Sequence, residues 1–171
     1  MRRGAFSLIE ITVVLLIAAI AAAAVTLRVR APLRRARMKD LVGQIAAFDR
    51  LTRAYAGEHD RPLRLVVDMA GRQLRRTDER ATEALGRPLE LPSGWTIGRL
   101  LIGGRDVTAA SAAISFSRRG LSRSYALLIE HEAGPKQWIL LAGLTGELIE
   151  ADDEDQIRDI LAAVGPRRDA G

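Results

Sequence analysis

The sequence predicts an α+β protein in which a long N-terminal helix precedes a small antiparallel β-rich head. An apolar run from Phe6 to Leu27 contains a single charge, and the hydrophobic period changes to two from Leu63 onward. The first pattern is typical of a helix and the second of half-buried strands. A third stretch, DDEDQIRDILAAVG, predicts a further helix at the C-terminal end.

The apolar run over residues 6–27 is long enough to cross a lipid bilayer. It contains no Gly or Pro, and at 1.5 Å per residue it would extend about 33 Å as a helix. Leucine, isoleucine and alanine favour the helix, and backbone groups in lipid must bond to one another. We therefore predict a transmembrane helix over 6–27.

An amphipathic helix is predicted over residues 28–56. Pro32 lacks a backbone donor and disfavours helix at the residue before it, so a kink or break is expected there. Beyond it, apolar residues follow a spacing of three and four, which predicts a stripe facing the head. The stripe consists of Met38, Leu41, Val42, Ile45, Phe48, Leu51 or Thr52, and Tyr55. The basic residues of this helix, Arg50 and Arg53 included, are expected mostly on the other side.

The remaining segment, residues 57–171, is predicted to be the globular head. LRLVVDMAGRQLRR favours a hairpin that turns between Asp68 and Gly71. Further short strands are separated by Gly-bearing turns, and they are found in PLELPSGWTIGRLLIGG, AAISFS, SYALLIE, KQWILLA and GELIE. Short strands at this spacing predict an antiparallel sandwich or a curled sheet.

The charge of the chain is unevenly distributed. The net charge is +5, and there is no cysteine, which excludes disulfides and thiol chemistry. Residues 28–53 carry eight Lys or Arg and two Asp, whereas residues 54–171 carry sixteen basic and eighteen acidic side chains. The basic character therefore belongs to the segment that follows the apolar helix, where lipid head groups or neighbouring helices would meet it.

Glu10 is the single charge of the apolar run. A plain membrane anchor would gain nothing from it, because a carboxylate inside a bilayer is unfavourable by a few kcal/mol. A cleaved secretory signal is a second interpretation, since Arg2 and Arg3 would form its basic region and 22–24 offers small residues for cleavage. Neither interpretation explains Glu10.

The stretch FSLIEITVVLL resembles the start of a mature type IV pilin or type II secretion pseudopilin, with an aromatic residue first and Glu fifth. The resemblance implies a leader, residues 1–5, removed between Ala5 and Phe6, and methylation of the new Phe6 amine. Cleavage between Gly4 and Ala5 is the alternative, because the family's peptidase usually cuts after Gly. The Phe6 amine would lie about 6 Å along the helix from Glu10, close enough to pair with it. The family implies a pair with the neighbouring subunit's amine.

Two later stretches, ISFSRRG and GLTGELI, resemble the minor pseudopilin H group and related minor pilins. This implies a structural subunit of the pilus-like fibre of a type II secretion system. It also implies a single-pass inner-membrane protein with its head in the periplasm. The expected partners are other pseudopilins, the prepilin peptidase and secreted cargo. A DNA-binding minor type IV pilin and a periplasmic protein with a cleaved signal peptide remain alternatives.

No catalytic chemistry is predicted. His59 and His131 are far apart and expected to be exposed, and no nucleophile or phosphate-binding motif occurs. We therefore predict a protein that is not an enzyme and has no cofactor, metal or small-molecule substrate. The acidic run over 147–155 could offer oxygen ligands to Ca²⁺, but it lacks the order of a calcium loop and suits a helix N-terminus better.

Three arginines form the candidate nucleic-acid contact. Arg118, Arg119 and Arg123 cluster in one predicted loop and could reach phosphate groups. Residues 54–171 nevertheless have a small net negative charge, and no aromatic residue accompanies these arginines. Nucleic acid is therefore not the expected partner.

Overall fold

The computed structural model describes the backbone of residues 8–79, 83–132 and 134–164, without the side chains at 8, 22–31 and 164. The described chain is α+β, and its elements begin with a helix of 51 residues, α1 (Leu8–Glu58). The chain divides into two compact units, Met1–Arg37 and Met38–Gly171. Helix α1 begins in the first unit and ends in the second, which contains all the strands of the described residues.

The first unit contains the N-terminal part of α1. Its described side chains from Ile9 to Ala21 are all exposed. Among the described residues, no helix offers a stretch long and apolar enough to cross a membrane. Pro32 lies inside α1 rather than at a break, so the helix is not interrupted there. Proline removes one hydrogen bond of the ladder, and a helix of this length retains the others.

The second unit contains two antiparallel sheets, as predicted. The first has the strand order β3-β2-β1-β6 and the second β5-β4-β7-β8-β9. The strands are β1 (Leu63–Asp68), β2 (Gln73–Asp78), β3 (Leu89–Glu90), β4 (Trp95–Ile102), β5 (Arg105–Asp106), β6 (Ser111–Phe116), β7 (Tyr125–His131), β8 (Lys136–Leu141) and β9 (Leu148–Ala151). A second helix, α2 (Glu154–Val164), follows the last strand, where a C-terminal helix was predicted.

The hairpin of β1 and β2 confirms the turn predicted between Asp68 and Gly71. The Gly71 N–H donates to the Asp68 carboxylate at 2.7 Å. This hydrogen bond holds the pKa of Asp68 below its usual value, with a smaller effect from Gln73 and Arg75. A carboxylate that binds the turn's own backbone explains why Asp stands at the end of β1.

The first hydrophobic core lies between the two sheets and the second half of α1. The predicted stripe is confirmed, with Met38, Leu41, Val42, Ile45 and Phe48 buried. Thr52 is fully buried, whereas Leu51 is 58% exposed. The threonine hydroxyl donates to the Phe48 carbonyl at 2.7 Å, so its polar atom is satisfied inside the helix.

A second, smaller core covers the other face of the β4-β7-β8 sheet. Ile157 and Leu161 of α2 pack there with Leu101, Trp138 and Leu140. Strands β7 and β8 are therefore buried on both faces, which explains why their sequences are almost continuously apolar.

Helix α2 begins in the acidic run considered as a calcium ligand. The Asp153 carboxylate accepts the Gln156 N–H at 2.8 Å, as expected of an N-cap. Glu154 pairs with Arg99 of β4 and with Arg158 of its own helix. The hydrogen bond from Arg158, assisted by Arg99, lowers the pKa of Glu154 against the opposing effect of desolvation.

We expect the ion pairs of Glu154 with Arg99 and Arg158 to make the stability of α2 sensitive to acid. Because the pKa of Glu154 is lower in the folded chain, its contribution to stability is complete above the unfolded-state pKa. It is lost as the pH falls through the folded-state pKa. The free energy of unfolding, followed by circular dichroism against pH, should exceed that of Glu154→Gln at neutral pH and converge with it in acid. A constant difference between the two chains would contradict the prediction.

Candidate functional site

The first candidate functional feature is the apolar part of α1 around Glu10. Exposed aliphatic side chains surround the helix here, from 50% exposed at Val13 to 73% at Ile9. Glu10 lies in the first turn and is also exposed. Water-exposed aliphatic residues on every side of a helix indicate a surface that something else must cover, whether lipid or other helices.

The residues predicted for processing cannot be placed. Gly4, Ala5 and Phe6 lie outside the described residues. Cleavage, methylation of Phe6 and the pairing of its amine with Glu10 therefore stay predictions.

The second unit contains a buried polar network that the sequence analysis did not predict. Asp49 of α1 is fully buried, and its carboxylate accepts hydrogen bonds from Arg53 at 2.5 Å and from the Tyr125 hydroxyl at 2.8 Å. Burial, and then the Asp49 charge, raise the pKa of Tyr125, so its hydroxyl stays protonated and donates. The network fixes the second half of α1 to the middle of the β4-β7-β8 sheet.

Arg53 extends this network to two loops of the head. Its guanidinium donates to the carbonyl oxygens of Gly120 at 3.1 Å and Gly143 at 2.7 Å, and to the Ser122 hydroxyl at 3.0 Å. It also lies over the Phe116 ring, 5.0 Å from the centroid. The expectation that Arg53 would lie with the exposed basic residues is wrong, because its side chain is only 11% exposed.

The glycines of the two loops allow the chain to approach Arg53. At Gly120, which has φ +72°, an added Cβ would be 2.6 Å from the Arg53 carbonyl oxygen. At Gly143 it would be 2.2 Å from the carbonyl oxygen of Ser122. The glycines of the RRG and GLTG stretches are therefore needed for close packing as well as for turning the chain.

We expect Gly143→Ala to destabilise the head. The new methyl group must separate the loops, and the Gly143 carbonyl would move away from Arg53; overpacking of this kind typically destabilises by about 1–3 kcal/mol. Gly43→Ala is the matched control, because nothing lies within 4 Å of its Cβ position on α1, and we expect a gain of about 0.5–1 kcal/mol. Urea unfolding followed by tryptophan fluorescence compares the two. Equal effects would mean that the close approach at Gly143 is unimportant.

The three arginines considered for nucleic acid lie on one exposed loop between β6 and β7. Arg118, Arg119 and Arg123 are all exposed, and Arg118 is 3.6 Å from the carboxylate of Asp60. Hydrogen bonds between Ser117 and the next turn residues hold the loop compact. The loop thus presents basic groups together, and DNA binding by them stays a prediction.

The histidines are well separated within the second unit. His59 is exposed and stacks on Tyr55 at 4.0 Å, whereas His131 is half-buried against the edge of Trp95 at 4.8 Å. Within residues 8–79, 83–132 and 134–164, no group of three or more acidic or histidine side chains could hold a metal ion. Both rings thus take part in aromatic packing.

Comparisons with known proteins give one structural similarity. No protein-family model matches the chain, and no curated protein matches it. Among solved structures, the chain is similar to the type IV minor pilin FimU of Pseudomonas aeruginosa (strain PAO1), with a TM-score of 0.48 and 11% sequence identity. The match covers 69% of this chain and 90% of that one. What the chain does is therefore inferred from its own residues.

Proposed function

We propose that the chain is a minor pseudopilin, a structural subunit of the pilus-like fibre of a type II secretion system. The observation that carries this proposal is the combination on α1 of an exposed, apolar N-terminal part with one carboxylate and a second half buried in a β-rich head. Fully burying an aliphatic side chain gains about 1.5–3 kcal/mol. The apolar part of α1 would therefore be buried in lipid before assembly and among the helices of other subunits after it.

In this proposal Glu10 makes the entry of the helix into the fibre specific. Removal of residues 1–5 would give Phe6 a cationic amine, and in an apolar environment Glu10 would attract the amine of the subunit beside it. Pairing of this kind sets the register of a helix entering a fibre. The head would then remain outside the membrane and contact other pseudopilins or cargo.

The proposed location is the inner membrane, which the chain would cross once, with the head in the periplasm until it enters the fibre. Arg34, Arg35 and Arg37 follow the apolar part of α1, and Arg35 and Arg37 are exposed. They suit the anionic head groups at a membrane surface. Counted alone, these charges favour a cytoplasmic head, so the orientation rests on the leader pattern.

Intact mass and N-terminal sequencing of the chain, isolated from its own membrane, would test the proposal. A chain that begins at Phe6, with or without one added methyl group, supports it and gives Glu10 its partner. A start near Val25 would indicate a discarded signal peptide, and an uncut Met1 would indicate a simple anchor. Either of the last two outcomes would overturn the proposal.

A further inference from the structure

Strand β6 (Ser111–Phe116) forms an open edge of the first sheet. It pairs with β1 on one side. On its other side, no strand from the described part of the chain pairs with it. Ser111, Ala113 and Ser115 are exposed. The strand therefore offers a row of backbone groups to a partner.

The register identifies which backbone groups face outward. The Met69 N–H donates to the Ala110 carbonyl at 2.9 Å, which places these two residues in a hydrogen-bonded pair. Such pairs alternate along an antiparallel ladder. In the register of β1 with β6, residues 112, 114 and 116 therefore bond to β1. The N–H and C=O groups of Ser111, Ala113 and Ser115 point away from β1, and no strand of the described residues bonds to them.

The other sheet edges are shorter or charged. Strands β3 and β5 have two residues each, and β9 has four residues and includes Glu150. Strand β6 has six residues, SAAISF, without charge or proline, and its register with β1 is continuous. Exposed edge strands in natural proteins are usually protected against pairing by charged residues, by proline or by being short. Strand β6, the longest of these edge strands, lacks this protection, which indicates that it pairs with another strand.

We propose that β6 pairs with β6 of a second copy of this chain, antiparallel about a two-fold axis at Ala113. In this register Ala113 faces Ala113 of the second copy, and Ser111 faces Ser115 in both directions. All the outward backbone groups of these residues then bond across the axis. A shift by two residues in either direction leaves one serine of each strand without its partner, so the centred register is the most complete.

The charges beside β6 are compatible with the same register. On the exposed face of the sheet, Ser115 is the β1 partner of Arg64, and Ser111 is the partner of Asp68. Across the two-fold axis, Arg64 and Ser115 of one copy would therefore stand in one row with Ser111 and Asp68 of the second copy. The symmetry creates a second, identical row. The centre of the face would hold Val66 and Ala113 from both copies. Serine faces serine or alanine faces alanine at each new contact, so no like charges face each other across the axis.

The pairing can be measured by single cysteines, because the natural chain has none. Ala113→Cys in the full chain, purified in detergent, should form a disulfide-linked dimer. Residues of a hydrogen-bonded pair have Cα atoms about 5.5 Å apart, within the range that a disulfide spans. Ala163→Cys, on the exposed side of α2, is the control and should not cross-link. Equal cross-linking at both positions would overturn the proposal.

A mixture of two variants determines the register. Ser111→Cys and Ser115→Cys should cross-link with each other but not with themselves, because residues 111 of the two copies lie about 13 Å apart along the strands. This pattern also separates β6 pairing from association through the apolar part of α1, which would show no such preference. Cross-linking of Ser111→Cys with itself would overturn the proposed register.

The association itself is tested by sedimentation of the full chain in detergent. Ala113→Pro removes an outward N–H and leaves the bonds to β1 intact, so it should convert the dimer to a monomer. Ala113→Ser keeps the N–H and should remain a dimer. If the proline variant loses its folded circular dichroism, Ala113→Lys replaces it, because two ammonium groups would then face each other. A monomeric natural chain, or a dimer that survives proline or lysine at 113, would overturn the inference.

The inference depends only on the second unit, Met38–Gly171. A chain that begins near Val25 or at Met1 would remove the proposed fibre function and leave β6 pairing untouched. Absence of the cross-linked dimer would remove the proposed β6 pairing and leave the proposed fibre function untouched.

Discussion

Replacing Asp49 by Ala is expected to lower the free energy of unfolding of the head by about 3–5 kcal/mol, the usual effect of removing one partner from a buried ion pair. The variant would leave the Arg53 guanidinium, which is 11% exposed, without its counter-ion, and the Tyr125 hydroxyl without its acceptor. The measurement is urea unfolding in mild detergent. Trp95 and Trp138 report it, since both are buried in the second unit.

Two further variants define the expected pattern. Tyr125→Phe removes one hydrogen bond to a charged group and should lose about 1.5–3 kcal/mol, less than Asp49→Ala. Asp40→Ala changes an exposed carboxylate on the same helix, and its effect should stay within about 0.5 kcal/mol. If Asp49→Ala destabilised no more than Asp40→Ala, the buried network would not hold the helix to the sheet.

Replacing Glu10 by Ala is expected to prevent entry into the fibre without changing the stability of the head. At an effective dielectric constant of about 20, a charge pair 4 Å apart gains about 4 kcal/mol. We therefore expect incorporation to fall by more than about tenfold. Immunodetection of the subunit in sheared or purified fibres, together with export of the system's substrate, measures the effect.

Glu58→Ala is the control for this experiment. Glu58 is an exposed carboxylate at the C-terminal end of the same helix. Its replacement should leave incorporation and export at the level of the natural chain. Incorporation of Glu10→Ala at that same level would remove the assembly role proposed for Glu10.

The elements of the fold could be predicted because their signals are local. The turn after Asp68, the buried stripe of α1 and the acidic start of α2 all depend on residues within a few positions of one another. The break considered at Pro32 does not occur, because a single lost hydrogen bond competes with a long ladder, and the kink stays a prediction. The sequence did not predict that residues of β7 would divide between two cores. That division depends on where α2 packs, and hydrophobic periodicity does not reveal this position.

The buried network could not be predicted from periodicity. Arg53 lies beside the apolar stripe, and a helical pattern assigns a charged residue there to solvent. The spacing of Asp49 and Arg53 was the one available signal, since an i, i+4 pair next to buried positions can neutralise itself on entering a core. The carbonyl groups of Gly120 and Gly143 carry no sequence signal, because every residue has one.

The bonds of Arg53 also impose an order on folding as the chain emerges. Its partners at Gly120 and Gly143 lie 67 and 90 residues further along, and the partner of Asp49 at Tyr125 lies 76 residues further. Until those segments are synthesised, Asp49 and Arg53 can pair with each other but cannot bond to the head. The polar network that fixes α1 to the head is therefore completed only by the last third of the chain.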